Sequence, residues 1–119
     1  MATQHKFTAT IEHTIDAETI ATLLVSAFEG GSNYWMRSVK RVNRSEDFYD
    51  VAPFASGLVV VDGETGTEHR LDVDAIRSGL KTMATSHPRH MADVLKKNDD
   101  ATTGDVFLQC CLFGEVVYG

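Results

Sequence analysis

The stretch GGSNYW, residues 30–35, is the part of the sequence whose residue types best suit ligand binding. Its two glycines stand beside serine, asparagine, tyrosine and tryptophan, and loops of this kind often carry function when rigid elements flank them. The loop follows a predicted helix and therefore lies at the partial-negative end of the helix dipole, which does not favour a phosphate. The structural alternative is a helix stop followed by aromatic side chains of the core, and the residue types favour it.

Four basic side chains follow the loop: Arg37, Lys40, Arg41 and Arg44. In a strand the first and third of these share one face and the second and fourth share the other, so they do not form one patch. With Tyr34 and Trp35 they could stack on a nucleotide and neutralise it. Charge balance against the acidic segment 45–50 is the favoured interpretation. The candidate partner-binding or ligand-binding residues are Asn33, Tyr34, Trp35, Arg37, Arg41 and Tyr49.

A second polar stretch, NDDATTGD at residues 98–105, precedes the last predicted helix. Asp99, Asp100 and Asp105 could offer oxygens to a hard cation, but the spacing and the bidentate glutamate of an EF-hand are absent. Backbone N–H groups there could instead hold an anion, although the nearby acids would repel it. Helix capping by Asp100 or a threonine is the favoured interpretation, so no metal and no cofactor is predicted.

The histidines and cysteines do not predict a metal site or a nucleophile. His87 and His90 could share a helix face, but a structural zinc site needs four ligands. The remaining candidates are Cys110 and Cys111, in an apolar run typical of small buried hydrophobes. No nucleophile elbow, zinc-protease, phosphate-loop or dinucleotide motif is present in the sequence, so catalysis has no positive support.

Length and charge bound the possible functions. A chain of 119 residues is expected to form one globular domain, residues 1–119. A formal net charge of −6 lacks the excess of Lys and Arg that sequence-independent nucleic-acid binding requires. No apolar segment reaches the roughly 20 residues of a membrane span, and the N-terminus lacks the apolar region of a signal peptide. A cytoplasmic location is therefore expected.

The first half of the chain predicts strands around one clear helix. Residues 5–15 alternate between apolar and polar side chains, as in a half-buried strand. Asp16 is a predicted N-cap, and the helix it starts ends at Gly30-Gly31 with one glycine in the left-handed conformation. A strand is expected over 34–42 and a loop over 45–56.

The second half predicts a hairpin and three helices. The hairpin has arms 58–62 and 67–71, and helices follow from Asp72 or Asp74, over 88–97, and from Thr102 or Thr103 to Gly114. Gly79 inside the first of these helices predicts close packing. Residues 115–118 are a candidate short strand.

The stretch GDVFLQCCLFGEVVYG, residues 104–119, organises the rest of the fold. From Val106 to Phe113 only Gln109 is polar, and a surface helix would show a polar face, so this helix must be buried. Grouping of the hairpin and the helices favours an α+β fold, with a small, mainly antiparallel sheet of three to five strands against about four helices. Either these elements cover the last helix or a second copy does, and a homodimer is slightly favoured.

Four stretches carry a resemblance to a known family: AFEGGSNYW (27–35), HRLD (69–72), HPRHMADVL (87–95) and DDATTGDVFLQCCLFGEVVYG (99–119). They resemble a group of small uncharacterised proteins of tailed phages and prophages that share a GG-SNYW loop and a TGDVFLQ–FGE–VYG C-terminus. The resemblance covers most of the chain apart from 40–56. It implies a phage accessory protein in the cytoplasm of a bacterial host, and no catalytic residue or cofactor.

Stoichiometric binding of a host protein is the function that this origin favours, including inhibition of a host defence system in the manner of an anti-CRISPR protein. The contact surface would be 32–56, which combines the aromatic and basic residues enriched at interfaces. On this hypothesis, substitution of Trp35 or Tyr49 abolishes binding and leaves folding intact. The alternatives are a sponge that captures a small nucleotide, an enzyme, and a structural component of the virion.

Overall fold

The computed structural model describes residues 5–42 and 57–119. Within these ranges the chain forms four α-helices and one three-stranded antiparallel sheet, which confirms the predicted α+β class. The elements are α1 (Ala17–Ser26), β1 (Met36–Arg41), β2 (Leu58–Asp62), β3 (Glu68–Leu71), α2 (Val73–Ser86), α3 (Pro88–Leu95) and α4 (Ala101–Phe113). None of the helices in these ranges is long and apolar enough to cross a membrane.

Helix α4 lies at the centre of the core, as its apolar sequence predicts. Nine consecutive residues, Thr103 to Cys111, are buried, and α4 contacts α1, α2, α3 and β3 of the same chain. Asp100 begins the helix with a capping box that includes Thr103, and Gly114 ends it in the left-handed conformation at φ 72°. The chain itself therefore covers α4, so burial of this helix does not require a second copy.

The sheet has the order β1–β2–β3, and its inner face carries Leu58, Val60 and Leu71, all fully buried. The register breaks between Met36 and Ser38, which marks a β-bulge. The predicted sharing of one strand face by Arg37 and Arg41 is therefore wrong. Arg41 pairs with Leu58 on the inner side, whereas Arg37 sits at the bulge and is exposed.

Three local predictions are also wrong. Residues 5–16 form no regular secondary structure, and α1 continues into a π-helical turn, Ala27–Gly31, instead of ending at a left-handed glycine. Gly30 has φ 179°, which is extended backbone. Residues 115–118 form no strand. The predicted loop over 45–56, which includes Tyr49, lies outside the described residues.

Gly79 allows α2 and α4 to approach closely. A Cβ atom at this position would lie 2.8 Å from the Cα of Cys111 and would also collide with its sulfur. The close packing that the sequence predicts is confirmed.

Replacement of Gly79 by alanine should therefore lower the free energy of unfolding by about 1–3 kcal/mol, the usual cost of overpacking a core. Alanine normally stabilises a helix by about 1 kcal/mol relative to glycine, so the sign of the change is diagnostic. Urea denaturation measures it, with the exposed Ser78→Ala on the same helix as control. A more stable Gly79→Ala variant would contradict the close approach.

Candidate functional site

The loop GGSNYW (residues 30–35) and the acidic stretch NDDATTGD (residues 98–105) meet at the side chain of Asp105. This carboxylate lies on α4 and is only 6% exposed. Its Oδ1 accepts hydrogen bonds from Ser32 Oγ at 2.7 Å and Trp35 Nε1 at 2.8 Å. Its Oδ2 accepts from Tyr34 Oη at 2.6 Å and from Gln109 Nε2 at 3.1 Å. These five side chains form the Asp105 network, in which four hydrogen-bond donors satisfy the buried carboxylate.

Local backbone structure brings these donors to Asp105. The π-helical turn after α1 ends at Gly31, and the N–H of the following Ser32 donates to the carbonyl of Ala27 at 2.9 Å. On the other side, a Cβ atom at Gly104 would lie 2.7 Å from the carbonyl oxygen of Leu23. Only glycine at position 104 lets α4 approach α1 closely enough to place Asp105 against the loop.

Gln109 extends the network to the C-terminal segment 114–119, here called the tail. Its Oε1 accepts hydrogen bonds from the N–H groups of Val117 and Tyr118, both at 2.8 Å. Its Nε2 donates to the carbonyl of Tyr118 at 3.0 Å. The only polar side chain in the apolar run of α4 thus binds the backbone of the tail through three hydrogen bonds.

Trp35 lies in the core, as the structural alternative predicts. Its side chain is 2% exposed, stacks on Tyr118 with ring centroids 5.5 Å apart, and packs at 5.4 Å against Phe113. Tyr118 in turn donates a hydrogen bond from Oη to Asp62 Oδ2 at 2.7 Å. The faces of the indole ring are therefore occupied by other residues of the chain.

Tyr34, unlike the buried Trp35, is more than half exposed to solvent. The residue is 55% exposed, yet its hydroxyl group donates to Asp105 and to the carbonyl of Tyr118 at 3.1 Å, and accepts from the amide of Gln109 at 3.3 Å. It forms one wall of a groove of about 390 Å³ between the loop, the start of α4 and the tail. This loop–tail groove is further lined by Gly31, Ala101, Thr102, Val106, Val116 and Tyr118.

The six candidate residues are divided among different environments. Tyr34 lines the loop–tail groove, Asn33 is exposed next to it in sequence, and Trp35 is buried behind it. Arg37 is exposed and Arg41 is half-buried, both on β1. Tyr49 lies outside the described residues. The structure therefore does not assemble the described candidates into one site, and it adds Val116 and Tyr118 of the tail, which sequence patterning did not single out.

Two aspartates of the acidic stretch, Asp100 and Asp105, and the two cysteines take part in the fold. Asp100 caps α4 and Asp105 holds the network, and the described residues contain no group of three or more His, Cys, Asp or Glu side chains placed to hold a metal ion. Cys110 and Cys111 are buried free thiols. Burial raises the pKa of Cys110 to about 11 and that of Cys111 well above its usual range, which disfavours the reactive thiolate.

Two tyrosines should ionise at an unusually high pH. Burial, with the hydrogen bond to Asp105 and its charge, raises the pKa of Tyr34 to about 12. The hydrogen bond to Asp62, with burial, raises the pKa of Tyr118 to about 12. Because each pKa is higher in the folded than in the unfolded chain, the neutral phenols stabilise the folded state. This stabilisation is complete below about pH 10 and is lost as the pH rises towards 12.

A phenolate absorbance titration tests this prediction. Of the three tyrosines, two should titrate about two pH units later than a free tyrosine. The variants Tyr34→Phe and Tyr118→Phe should each remove one of the two titration steps at high pH. Titration of all three tyrosines near pH 10 in the folded protein would contradict the hydrogen bonds described above.

Comparison of the chain with protein-family models, with curated proteins and with solved structures gives no match.

Proposed function

We propose that this protein is an accessory protein of a tailed phage or prophage that binds a host protein stoichiometrically, with Tyr34 as the anchor and the loop–tail groove as the contact surface. The origin rests on the resemblance described above. The choice of surface rests on one observation: Tyr34 is 55% exposed while its hydroxyl group takes part in three hydrogen bonds.

A tyrosine fixed in this way suits recognition. Ordering a side chain on binding costs roughly 0.5–1.5 kcal/mol, and the network has already ordered this one. Tyrosine is among the residue types that dominate binding energy, and such anchors pair with pockets on the partner. The groove beside Tyr34 can in turn receive an apolar side chain of the partner.

Charge indicates the chemistry of the partner surface. The chain carries a formal net charge of −6, and complementary potentials speed association and exclude wrong partners. We therefore expect a surface that presents an apolar or aromatic side chain among Lys and Arg. Proteins that bind nucleic acid display such surfaces, and host defence effectors of the CRISPR type belong to this class of partner.

The test begins with capture of the partner from the bacterial host by the tagged protein, followed by purification of the complex and measurement of its stoichiometry. We expect a fixed integer ratio. Tyr34→Ala should raise the dissociation constant at least about 30-fold, because a hot-spot side chain contributes about 2 kcal/mol or more. Leu95→Ala, at an exposed apolar residue on α3, is the matched control and should change it less than about threefold.

Tyr34→Phe separates the ring from the hydroxyl group. It keeps the ring that contacts the partner and should retain most of the affinity, although it removes one donor from Asp105. All variants must first show a cooperative thermal transition above the temperature of the assay. Unchanged binding by a folded Tyr34→Ala variant would contradict the proposed surface.

The nucleotide hypothesis has weaker support in this geometry. It needs Tyr34 and Trp35 to stack on a base, but Tyr118 and Phe113 cover the indole ring. A thermal-shift panel with cyclic and linear nucleotides tests it, because a ligand at a hundredfold excess over its dissociation constant stabilises by about 2.7 kcal/mol. A shift that Arg37→Ala abolishes would favour this hypothesis over protein binding.

A further inference from the structure

The tail lies on the protein as an extended segment and belongs to no helix or strand. It leaves α4 at Gly114, and residues 115–119 form no regular secondary structure. Exposure alternates along it: Val116 and Tyr118 are partly buried, and the residues on either side of each are exposed. This alternation is typical of an extended peptide with one face against a surface. The tail therefore lies on its own chain in the way that a bound peptide lies on a binding site.

A side chain with a fixed orientation holds the backbone of the tail. Gln109 is fully buried, and its Nε2 donates to Asp105 Oδ2 at 3.1 Å. Because a carboxylate only accepts, the amide of Gln109 must turn its nitrogen to that side and its oxygen to the N–H groups of Val117 and Tyr118. The hydrogen bonds that Gln109 and Tyr34 make to the tail all go to main-chain atoms. These contacts require an extended backbone and do not depend on the side chains of the tail.

The side chain of Tyr118 fills an aromatic slot beside this backbone contact. Its ring stacks on Trp35 with an interplanar angle of 18° and makes a T-shaped contact with Phe113 at a centroid distance of 6.0 Å. At the end of the slot, Asp62 is 3% exposed and accepts the hydrogen bond from the phenol group. The other oxygen of Asp62 accepts from the N–H of Glu64 at 2.8 Å, so the hairpin turn positions the carboxylate. The slot matches tyrosine, which combines an apolar ring with a polar end.

The remaining tail residues define what else a ligand of this surface needs. Val116 packs against the core, whereas Val117 is 51% exposed. An apolar residue two positions before the tyrosine is therefore favoured, and the side chain between them is free to vary. Proline is excluded from that middle position, because the N–H group of Val117 donates to Gln109. The surface selects an extended segment that reads apolar residue, any residue except proline, tyrosine.

We propose that this surface, here called the tail site, is a peptide-binding site that the tail occupies within its own chain, and that a tyrosine-containing segment of a partner protein displaces the tail from it. The tail site consists of Tyr34, Trp35, Asp62, Gln109 and Phe113. Recognition of a peptide by main-chain hydrogen bonds with pockets for alternate side chains is a recurring mode of binding. Segments outside helices and strands open at a lower cost in free energy than the core does, so the tail is suited to exchange. This inference does not depend on the function proposed above, whose contact surface is the groove that the tail helps to line.

The test uses the full chain with Tyr118→Ala, which empties the aromatic slot. In the wild type the tail competes at the millimolar effective concentration of a ligand on a short linker. The probe is the pentapeptide EVVYG, the sequence of residues 115–119, with both ends blocked. Its binding is followed by the fluorescence of Trp35, the single tryptophan of the chain. We expect the Tyr118→Ala variant to bind the pentapeptide at least about tenfold more tightly than the wild type does.

A matched variant and two altered peptides serve as controls. Val117→Ala changes an exposed tail residue and keeps the tyrosine, so it should bind the pentapeptide as weakly as the wild type does. A peptide with phenylalanine in place of tyrosine loses the hydrogen bond to Asp62 and should bind Tyr118→Ala about tenfold more weakly, because bonds to charged groups are the strong ones. A peptide with alanine at that position should not bind.

Hydrogen exchange of the wild-type chain provides the second measurement. The amides of Val117 and Tyr118, which Gln109 accepts, should exchange faster than those of α4, and millimolar pentapeptide should accelerate them further. The same samples are examined by light scattering, which measures the mass of the chain in solution.

Several results would overturn the proposal. They are absence of pentapeptide binding by a folded Tyr118→Ala variant, equal binding of all three peptides, and exchange of the tail amides only when the whole chain unfolds. A Tyr118→Ala chain that cannot fold would also overturn it, because a tail that a partner displaces cannot be required for folding. A wild-type dimer that the pentapeptide dissociates would place the tail of a second copy in the site, in contradiction to a different partner.

Discussion

Asparagine in place of Asp105 should lower the free energy of unfolding by about 2–4 kcal/mol, although the two side chains have nearly the same shape. Each oxygen of Asp105 accepts two hydrogen bonds. An amide nitrogen at Oδ1 would face the indole N–H of Trp35, and an amide nitrogen at Oδ2 would face the amide N–H group of Gln109. Both of these groups can only donate, so either orientation leaves one buried donor without an acceptor.

Urea denaturation of the two proteins measures this loss. The control is Asp99→Asn, which removes the same charge from the segment before α4 and should change stability by less than about 0.5 kcal/mol. An Asp105→Asn variant as stable as the control would show that the Asp105 network contributes nothing to the free energy of unfolding. Larger destabilisation by Asp99→Asn than by Asp105→Asn would instead favour the cation site that the acidic stretch suggested.

Trp35→Ala should destabilise the protein by about 3–5 kcal/mol, the cost of truncating a large buried aromatic side chain. The substitution opens a cavity beneath Tyr118 and Phe113 and removes one of the four donors to Asp105. This expectation reverses the sequence hypothesis, in which Trp35 substitution removes partner binding and spares folding. The reason for the reversal is burial, since only 2% of the side chain reaches solvent.

Thermal and urea unfolding measure the effect. Trp35→Phe keeps much of the packing and loses only the indole donor, so it should fall between the wild type and Trp35→Ala. Tyr34→Ala removes a neighbouring aromatic ring that is more than half exposed and should cost less than Trp35→Ala. Full stability of Trp35→Ala would contradict the position of the indole in the core.

Local signals in the sequence predict much of the fold. The apolar run of α4 indicates burial on all sides, Asp16 and Asp72 cap helices as expected, and the glycine-containing turn joins β2 to β3. In each of these cases the physical cause lies within a few residues of its effect. The strand predicted over residues 5–15 is wrong for a related reason, because alternation reports a preference for pairing and does not report whether the residues that the structure describes include a partner strand.

The Asp105 network could not be predicted because it is not local. Ser32, Tyr34 and Trp35 lie 70 to 73 residues from Asp105 in the sequence, and nothing in the acidic stretch distinguishes a capping aspartate from a buried acceptor. One signal did exist: Gln109 is the only polar residue from Val106 to Phe113. A buried amide must find partners, so its position indicated polar groups on the facing surface, although not that the tail would supply them.

The long sequence distance between the loop (residues 30–35) and the residues it contacts also sets the order in which parts of the fold can form during synthesis. Bringing residues 32–35 onto Asp105 and Tyr118 closes a chain of at least 70 residues, and this entropic cost is offset only when the later contacts form. A nascent chain on the ribosome therefore cannot display the loop–tail groove until Tyr118 has left the exit tunnel. Before that point Trp35 lacks the cover that Tyr118 provides, so a co-translational chaperone can bind this apolar surface.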